Sequence, residues 1–280
     1  MPDPQVPNWS KTQLPDTWPD QLALNRPHGF IRLLRHIFGK RQKVQLPQHL
    51  EYKDKIPKYV LQEFHNLPNG NYSNKVSRGY ITGFEKSMLG HMPTLRQHIA
   101  AHLEDCSAVL DIGCGGGKTG ATIRQYTQAE VWGIDPSPYL LKHAALDFPD
   151  INFIQGVAED LPFETDRFDG ISICFVFHEL SPRYVSRALD QIQRVLKPGG
   201  KFAIVEPAPT QLEQGYWQLF KSHGWQGPYF KFLAHRVHEP FVNSWHNYPL
   251  ADELQKRGMQ LLEDRELYPA RLFLCVNNSE

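Results

Sequence analysis

The sequence predicts an α/β fold with a doubly wound, mainly parallel sheet, and three observations carry that expectation. The run Val109-Leu110-Asp111-Ile112-Gly113-Cys114-Gly115-Gly116-Gly117 joins a short apolar strand to a glycine turn. Glycines without a Cβ allow a tight turn and close approach of backbone to a ligand, and a helix starting near Lys118 offers unpaired N–H groups to an anion. A second strand, Val131-Trp132-Gly133-Ile134, ends in Asp135, where an acid can accept both hydroxyls of a ribose. Between 108 and 206 strand and helix patterns then alternate, which implies right-handed crossovers and a ligand at the carboxyl edge of the sheet.

The elements follow in chain order. Residues 1–27 contain Pro2, Pro4, Pro7, Pro15, Pro19 and Pro27 with few aliphatics, so this stretch reads as an arm pinned by Trp9 and Trp18. In 28–43, Phe30, Ile31, Leu34, Ile37 and Phe38 recur at helical spacing among Arg32, Arg35, Lys40, Arg41 and Lys43. That is a basic amphipathic helix, the start of a helical cap over 28–104, and at most a peripheral contact with an anionic membrane surface. From Tyr59 to Leu103 the pattern is helix, glycine-containing loop, helix.

The core domain is expected over 105–280. Its strands are placed at 108–112, 130–134, 152–155, 168–174 and 201–206, and its helices at 118–126, 138–147 and 182–196. Lys197-Pro198-Gly199-Gly200 stops the last of these helices. An insert over about 207–248 is rich in rings, among them Trp217, Phe230 and Trp245, which either wall a pocket for a flat apolar ligand or hold the cap to the sheet. A helix at 250–256 and strands at 260–266 and 271–276, close enough for an antiparallel hairpin, complete the pattern.

With 280 residues there is room for one α/β domain of about 170 residues and a substantial cap. The 30 basic and 30 acidic side chains balance, so no global field favours nucleic acid. Cys106, Cys114, Cys174 and Cys275 lack paired metal-ligand spacing and read as reduced core residues. No apolar run approaches 18 residues and the start lacks a secretory pattern, which points to a cytoplasmic protein.

Four further ordered stretches carry a family resemblance: Asp135, then Gly156-Val157-Ala158-Glu159-Asp160-Leu161-Pro162-Phe163, then Arg167-Phe168-Asp169-Gly170-Ile171-Ser172-Ile173, then Arg194-Val195-Leu196-Lys197-Pro198-Gly199-Gly200. With the glycine turn they resemble the class I S-adenosylmethionine-dependent methyltransferases, in the group that includes ubiquinone and menaquinone C-methyltransferases. The resemblance is close over about 105–206 and holds only in pattern elsewhere. It implies a Rossmann-like seven-stranded sheet with the last strand antiparallel, S-adenosylmethionine as cofactor, and a small-molecule methyl acceptor. It further implies that Gly113, Cys114, Gly115 and Gly117 line the methionine portion with Asp111 beside them, Cys174 nearby, that Asp135 and Pro136 lie at the ribose, and that Ala158 and Glu159 border the adenine. Where the family often has Asp or Asn before the alanine this chain has Val157, leaving backbone groups or Glu159 to meet the adenine amino group. Tyr72, Tyr80 and Trp217 are the candidates for acceptor contact.

The exit of the fourth strand reads Phe175-Val176-Phe177-His178-Glu179-Leu180. It lacks the Asn/Asp-Pro-Pro-aromatic signature of amino-group methylation, which disfavours base-modifying chemistry. His178 is the candidate general base, an imidazole able to take a proton from a phenol, enol or amine, or else a side chain that ties down the loop. The expected activity is methyl transfer to oxygen or carbon of a lipophilic or aromatic molecule. The alternatives are a cofactor-binding regulator without catalysis and an NAD-type dehydrogenase, which would need a second nucleotide-binding half after residue 206.

Overall fold

The structure is a computed structural model that describes residues 3–23, 26–29, 31, 33, 42–237 and 239–279. Arg32, Arg35, Lys40 and Arg41 of the expected basic helix lie outside the described residues. The sheet strands are β1 (Ala108–Ile112), β2 (Glu130–Asp135), β3 (Asn152–Gln155), β4 (Phe168–Cys174), β5 (Leu196–Pro207), β6 (Met259–Leu267) and β7 (Ala270–Asn277). They form a seven-stranded sheet in the order β3-β2-β1-β4-β5-β7-β6. The first five strands pair in parallel, and β7 runs antiparallel to both neighbours. The doubly wound, Rossmann-like class expected from the alternation is therefore the observed one.

Every residue of β1 is buried, as a strand covered by helices on both faces requires. Because side chains alternate across a strand, Leu110 and Ile112 enter one core layer with Trp132 and Ile134, and Val109 enters the other with Val131 and Phe153. The first layer is closed by α5 (Pro182–Val195), whose Val185, Ala188, Leu189, Ile192 and Val195 form one apolar stripe. The second is closed by α2 (His91–His102), α3 (Lys118–Thr127) and α4 (Pro138–Asp147), following α1 (Asn74–Ser87) in the cap. One boundary differs from expectation. Leu196 already pairs with Phe168, and the register then shifts to Gly170 opposite Lys201, so the Lys197–Gly200 turn is absorbed within β5.

After β5 come α6 (Thr210–Glu213), α7 (Tyr216–His223), α8 (Gln226–Arg236) and α9 (Val242–His246), then α10 (Leu250–Gln255) before the final hairpin. Among the described residues no helix is long and apolar enough to cross a membrane.

The proline-rich arm is tied to the sheet by named contacts. Trp9 is 1% exposed, its indole Nε1 donates to the Phe153 carbonyl at 2.8 Å, and its ring packs against Tyr52. Tyr139 donates to the Pro15 carbonyl at 2.7 Å. Asp20 accepts from the Thr17 and Lys75 amides and the Ser73 hydroxyl, clamping the arm to the start of α1. A segment with too little apolar surface to fold alone is thereby ordered by a buried indole and by hydrogen bonds to the domain. Trp9→Ala should lower the unfolding free energy by about 3–5 kcal/mol. Chemical denaturation reads this directly, and a loss under about 1 kcal/mol would contradict the clamp.

Candidate active site

The glycine turn folds because Gly113, Gly115 and Gly117 adopt positive φ of 67°, 51° and 78°. Only glycine enters that region without strain. Their tasks differ. A Cβ on Gly115 would meet nothing within 4 Å and would project into open space, whereas one on Gly117 would lie 2.8 Å from Phe153. Gly117 thus seats α3 against the sheet, and Gly115 leaves room for a ligand. Asp111 is 1% exposed and stands behind the turn, accepting from the Ser172 hydroxyl at 2.7 Å and the Gly120 amide at 3.1 Å. Burial raises its pKa to about 6. Neither Asp111 nor Gly117 lines the cavity. Both stand behind its wall.

A cavity of about 170 Å³ lies over the turn, lined by Gly113, Cys114, Gly115, Asp135, Pro136, Ala158, Glu159 and Cys174 among others. Asp135 ends β2 and accepts from the Gly115 amide at 3.0 Å and the Ser137 amide at 2.8 Å, so the acid and the turn fix each other. Burial pushes its pKa to about 7. Burial likewise lifts Cys174 to about 12, which keeps it a neutral thiol.

At one side of the cavity the Tyr59 hydroxyl donates to Glu159 Oε1, and the Tyr59 ring stacks on Tyr184 at 4.2 Å. Among the described residues Glu159 Oε2 is buried without a partner. Elsewhere on the wall Arg96 pairs with Glu85, Lys118 Nζ lies 3.6 Å from the same carboxylate, and Arg96 Nε is buried without a partner.

These residues fit S-adenosylmethionine. Gly115 leaves an open cradle, Asp135 offers lone pairs to a diol, and Glu159 Oε2 is an unused acceptor beside Val157 and Ala158. Arg96, Lys118 and the start of α3 supply positive potential for a carboxylate.

A larger, mainly apolar chamber of about 440 Å³ adjoins the first cavity and shares Tyr80, Phe84 and Phe175 with it. Its walls include Val76, Met88, Phe230, Leu233 and Val242. Gly79 and Gly83, one turn apart on α1, also line it, and among the described residues a Cβ on either would meet nothing within 4 Å. At the polar end of the chamber His65 Nε2 lies 2.8 Å from Glu179 Oε1 and His65 Nδ1 lies 3.8 Å from Glu239 Oε1.

Tyr72 lines the first cavity and Tyr80 stands on the shared wall, but two other expected residues are elsewhere. Trp217 is 68% exposed, stacks on Phe220 and lines neither space, because the apolar side of α7 that turns inward carries Leu219. His178 is 1% exposed and also lines neither. Its Nδ1 lies 2.6 Å from Glu206 Oε2 and its Nε2 3.7 Å from Glu239 Oε1. Burial opposes charge on this ring, but the Glu206 and Glu239 carboxylates overcome it and raise its pKa to about 9. At neutral pH it is therefore a buried cation that ties down the loop, not a free base. Sequence reasoning missed Tyr59, Arg96, Lys118, Phe84, Phe175, Glu179 and His65. Of these, Glu179 adjoins His178 in the chain.

Asp135→Ala should weaken S-adenosylhomocysteine binding by roughly tenfold to over a hundredfold, since charge-assisted hydrogen bonds contribute about 1.5–3 kcal/mol each. The pKa of Asp135 is raised to about 7, and ribose hydroxyls need the ionised form as acceptor. Calorimetric affinity should consequently fall as pH drops through about 7, and Asp135→Asn should flatten that dependence. For His178 the sign is opposite. A folded pKa of about 9 against an ordinary 6.5 gives stability that is complete below pH 6.5 and lost as pH rises through 9. The stability gap between wild type and His178→Gln should accordingly shrink across that window; a gap independent of pH would refute the charged pair.

The comparisons with known proteins agree with this geometry. A family profile described as "Methyltransferase domain" matches residues 109–200. An uncharacterised methyltransferase of Synechocystis is 41% identical over 98 residues, 35% of this chain and 46% of that protein. A demethylmenaquinone methyltransferase of Chlorobaculum tepidum is 34% identical over 99 residues, covering 35% and 40%. The chain thus spans about half or less of the length of these relatives. A demethylmenaquinone methyltransferase of Staphylococcus carnosus is 30% identical over 201 residues, covering 65% of this chain and 80% of that protein. Among solved structures, a Nostoc punctiforme protein assigned as an O-methyltransferase superposes with a TM-score of 0.52 at 17% identity, over 69% of this chain and 58% of that one. At that identity it shows the fold alone. The turn, the paired acids and these relatives together place the chain among the class I S-adenosylmethionine-dependent methyltransferases.

Proposed function

We propose that this chain transfers a methyl group from S-adenosylmethionine to oxygen or carbon of a small lipophilic or aromatic molecule held in the apolar chamber. When bound, the cofactor supplies an electrophilic methyl carbon on a sulfonium. The protein's contribution is alignment, for which effective molarity is worth about 7–11 kcal/mol. Asp135 and the glycine turn hold one end of the arrangement, and Phe84, Phe175 and Tyr80 narrow the passage to the chamber and exclude water. That two of the relatives are named demethylmenaquinone methyltransferases fits an acceptor with an apolar body.

The observation that carries this reading is the pair Gly79 and Gly83. Glycine inside a helix costs about 1 kcal/mol relative to alanine. Among the described residues nothing packs over either glycine, and both face the chamber. They are explained by a ligand that occupies it.

Protein incubated with methyl-labelled S-adenosylmethionine and a lipid-soluble metabolite extract should yield a labelled product by mass spectrometry. Gly83→Leu should abolish that product or raise KM at least about tenfold, while S-adenosylhomocysteine affinity stays within threefold and thermal stability does not fall. Cofactor binding without any labelled product would favour a regulatory binding protein instead.

A further inference from the structure

The acceptor-side proton acceptor emerges from the cap and not from the loop after β4: we propose that His65, set between Glu179 and Glu239, takes the proton of a hydroxylated acceptor. This assignment rests on the chamber being the acceptor site. His65 lies in the turn Phe64–Asn66, and both His65 and Asn66 hold positive φ, at 55° and 56°. Two successive non-glycine residues in the left-handed region persist only where the surroundings impose them. Here the Asn66 side chain donates to the Arg236 carbonyl at 2.6 Å, and the Leu67 amide donates to the Phe64 carbonyl at 3.0 Å. The strained turn delivers the imidazole to the polar end of an otherwise apolar chamber, stacked on Tyr80 with ring centroids 5.4 Å apart.

The two ring nitrogens are not equivalent. Nε2, 2.8 Å from Glu179 Oε1, donates its proton to that carboxylate, which leaves the lone pair on Nδ1. Nδ1 stands 3.8 Å from Glu239 Oε1, beyond hydrogen-bond reach. Burial disfavours charge on Glu179, but His65 and His178 hold its pKa below the ordinary value, so it remains a carboxylate. A positive charge arriving on the His65 ring is met by carboxylates on two sides. His178 differs in each respect, since it is walled off from both spaces and already tied through Nδ1 to Glu206. The titratable groups facing His65 are Glu179 after β4, Glu239 after α8 and Tyr80 on α1, with His178 beyond Glu239.

This arrangement selects an acceptor class, namely a phenol or enol on an apolar body. As the methyl carbon bonds to the acceptor oxygen, or to the ring carbon conjugated with it, the acceptor O–H bond breaks and its proton passes to Nδ1. The carbon–sulfur bond of the sulfonium donor breaks with its electron pair returning to sulfur, leaving a neutral thioether. No oxidant or metal enters the balance.

An alkyl-substituted para-nitrophenol, whose absorbance reports ionisation, provides a test that does not depend on turnover. Bound to wild type in the presence of S-adenosylhomocysteine, it should absorb as phenolate at least about one pH unit below the point at which it does so bound to His65→Gln. Glu179→Gln should shift the transition in the same direction by less. His65→Gln should keep S-adenosylhomocysteine affinity within about threefold and lower labelled methyl transfer by about 10² to 10⁴. Identical spectra in wild type and His65→Gln overturn the assignment. So does failure of the nitrophenol to bind a protein that still binds S-adenosylhomocysteine, whereas failure to bind either ligand removes the chamber reading as well.

Discussion

The site depends on one buried carboxylate. Glu206, at the end of β5 and 0% exposed, accepts from the Val176 amide at 2.8 Å, the Phe177 amide at 2.7 Å and the His178 amide at 3.3 Å, and pairs with His178 Nδ1 at 2.6 Å. An ionised carboxylate removed from water is tolerated only when donors replace its hydration. The chain supplies those donors by bending sharply after β4, with Phe175 at a φ of 60°. Because β5 is held between β4 and β7, Glu206 is itself immobile. The turn it gathers therefore puts Phe175 on the wall between the two cavities and Glu179 at their polar junction.

A second pair of buried acids does the equivalent work at the glycine turn. Asp111 lies next to the end of β1 and Asp135 ends the adjacent parallel strand β2, and each accepts a backbone amide from the turn or from the helix it starts. Burial raises both, to about 6 and about 7. Asp111 is spent entirely on structure, whereas Asp135 also faces the cavity. Two carboxylates that look alike in the chain thus divide the work of supporting the turn and facing the ligand according to which side of the glycine backbone they occupy.

The two spaces differ in character for a related reason. The first is bounded by strand ends and loops, where amides and carboxylates collect, so it suits a polar nucleotide-like ligand. The second is bounded by α1, α8 and α9 of the cap and insert, whose inward stripes are apolar. At their junction His65, Glu179 and Glu239 bring polar groups to an apolar wall.

The sequence by itself determined the sheet, because continuous burial of β1, the alternation of strands with helices and the glycines at positive φ are all local requirements written in residue type. That Gly113, Gly115, Asp135, Ala158, Glu159 and Cys174 would lie together was legible for the same reason, since they sit at or shortly after strand ends, and they line one cavity. Trp217 and His178 lie outside both cavities, and residue type alone does not tell which way a side chain turns. One faces solvent, and the other is captured by a carboxylate 28 residues away in sequence. The cluster at the junction of the two cavities was decided only by tertiary structure. His65 and Glu179 are 114 residues apart, on segments with no pattern linking them, and they meet because the Glu206 anchor and the strained cap turn present them to the same chamber. Local chemistry fixes backbone geometry, but a pair joined across that distance exists only once packing has closed the loop between them.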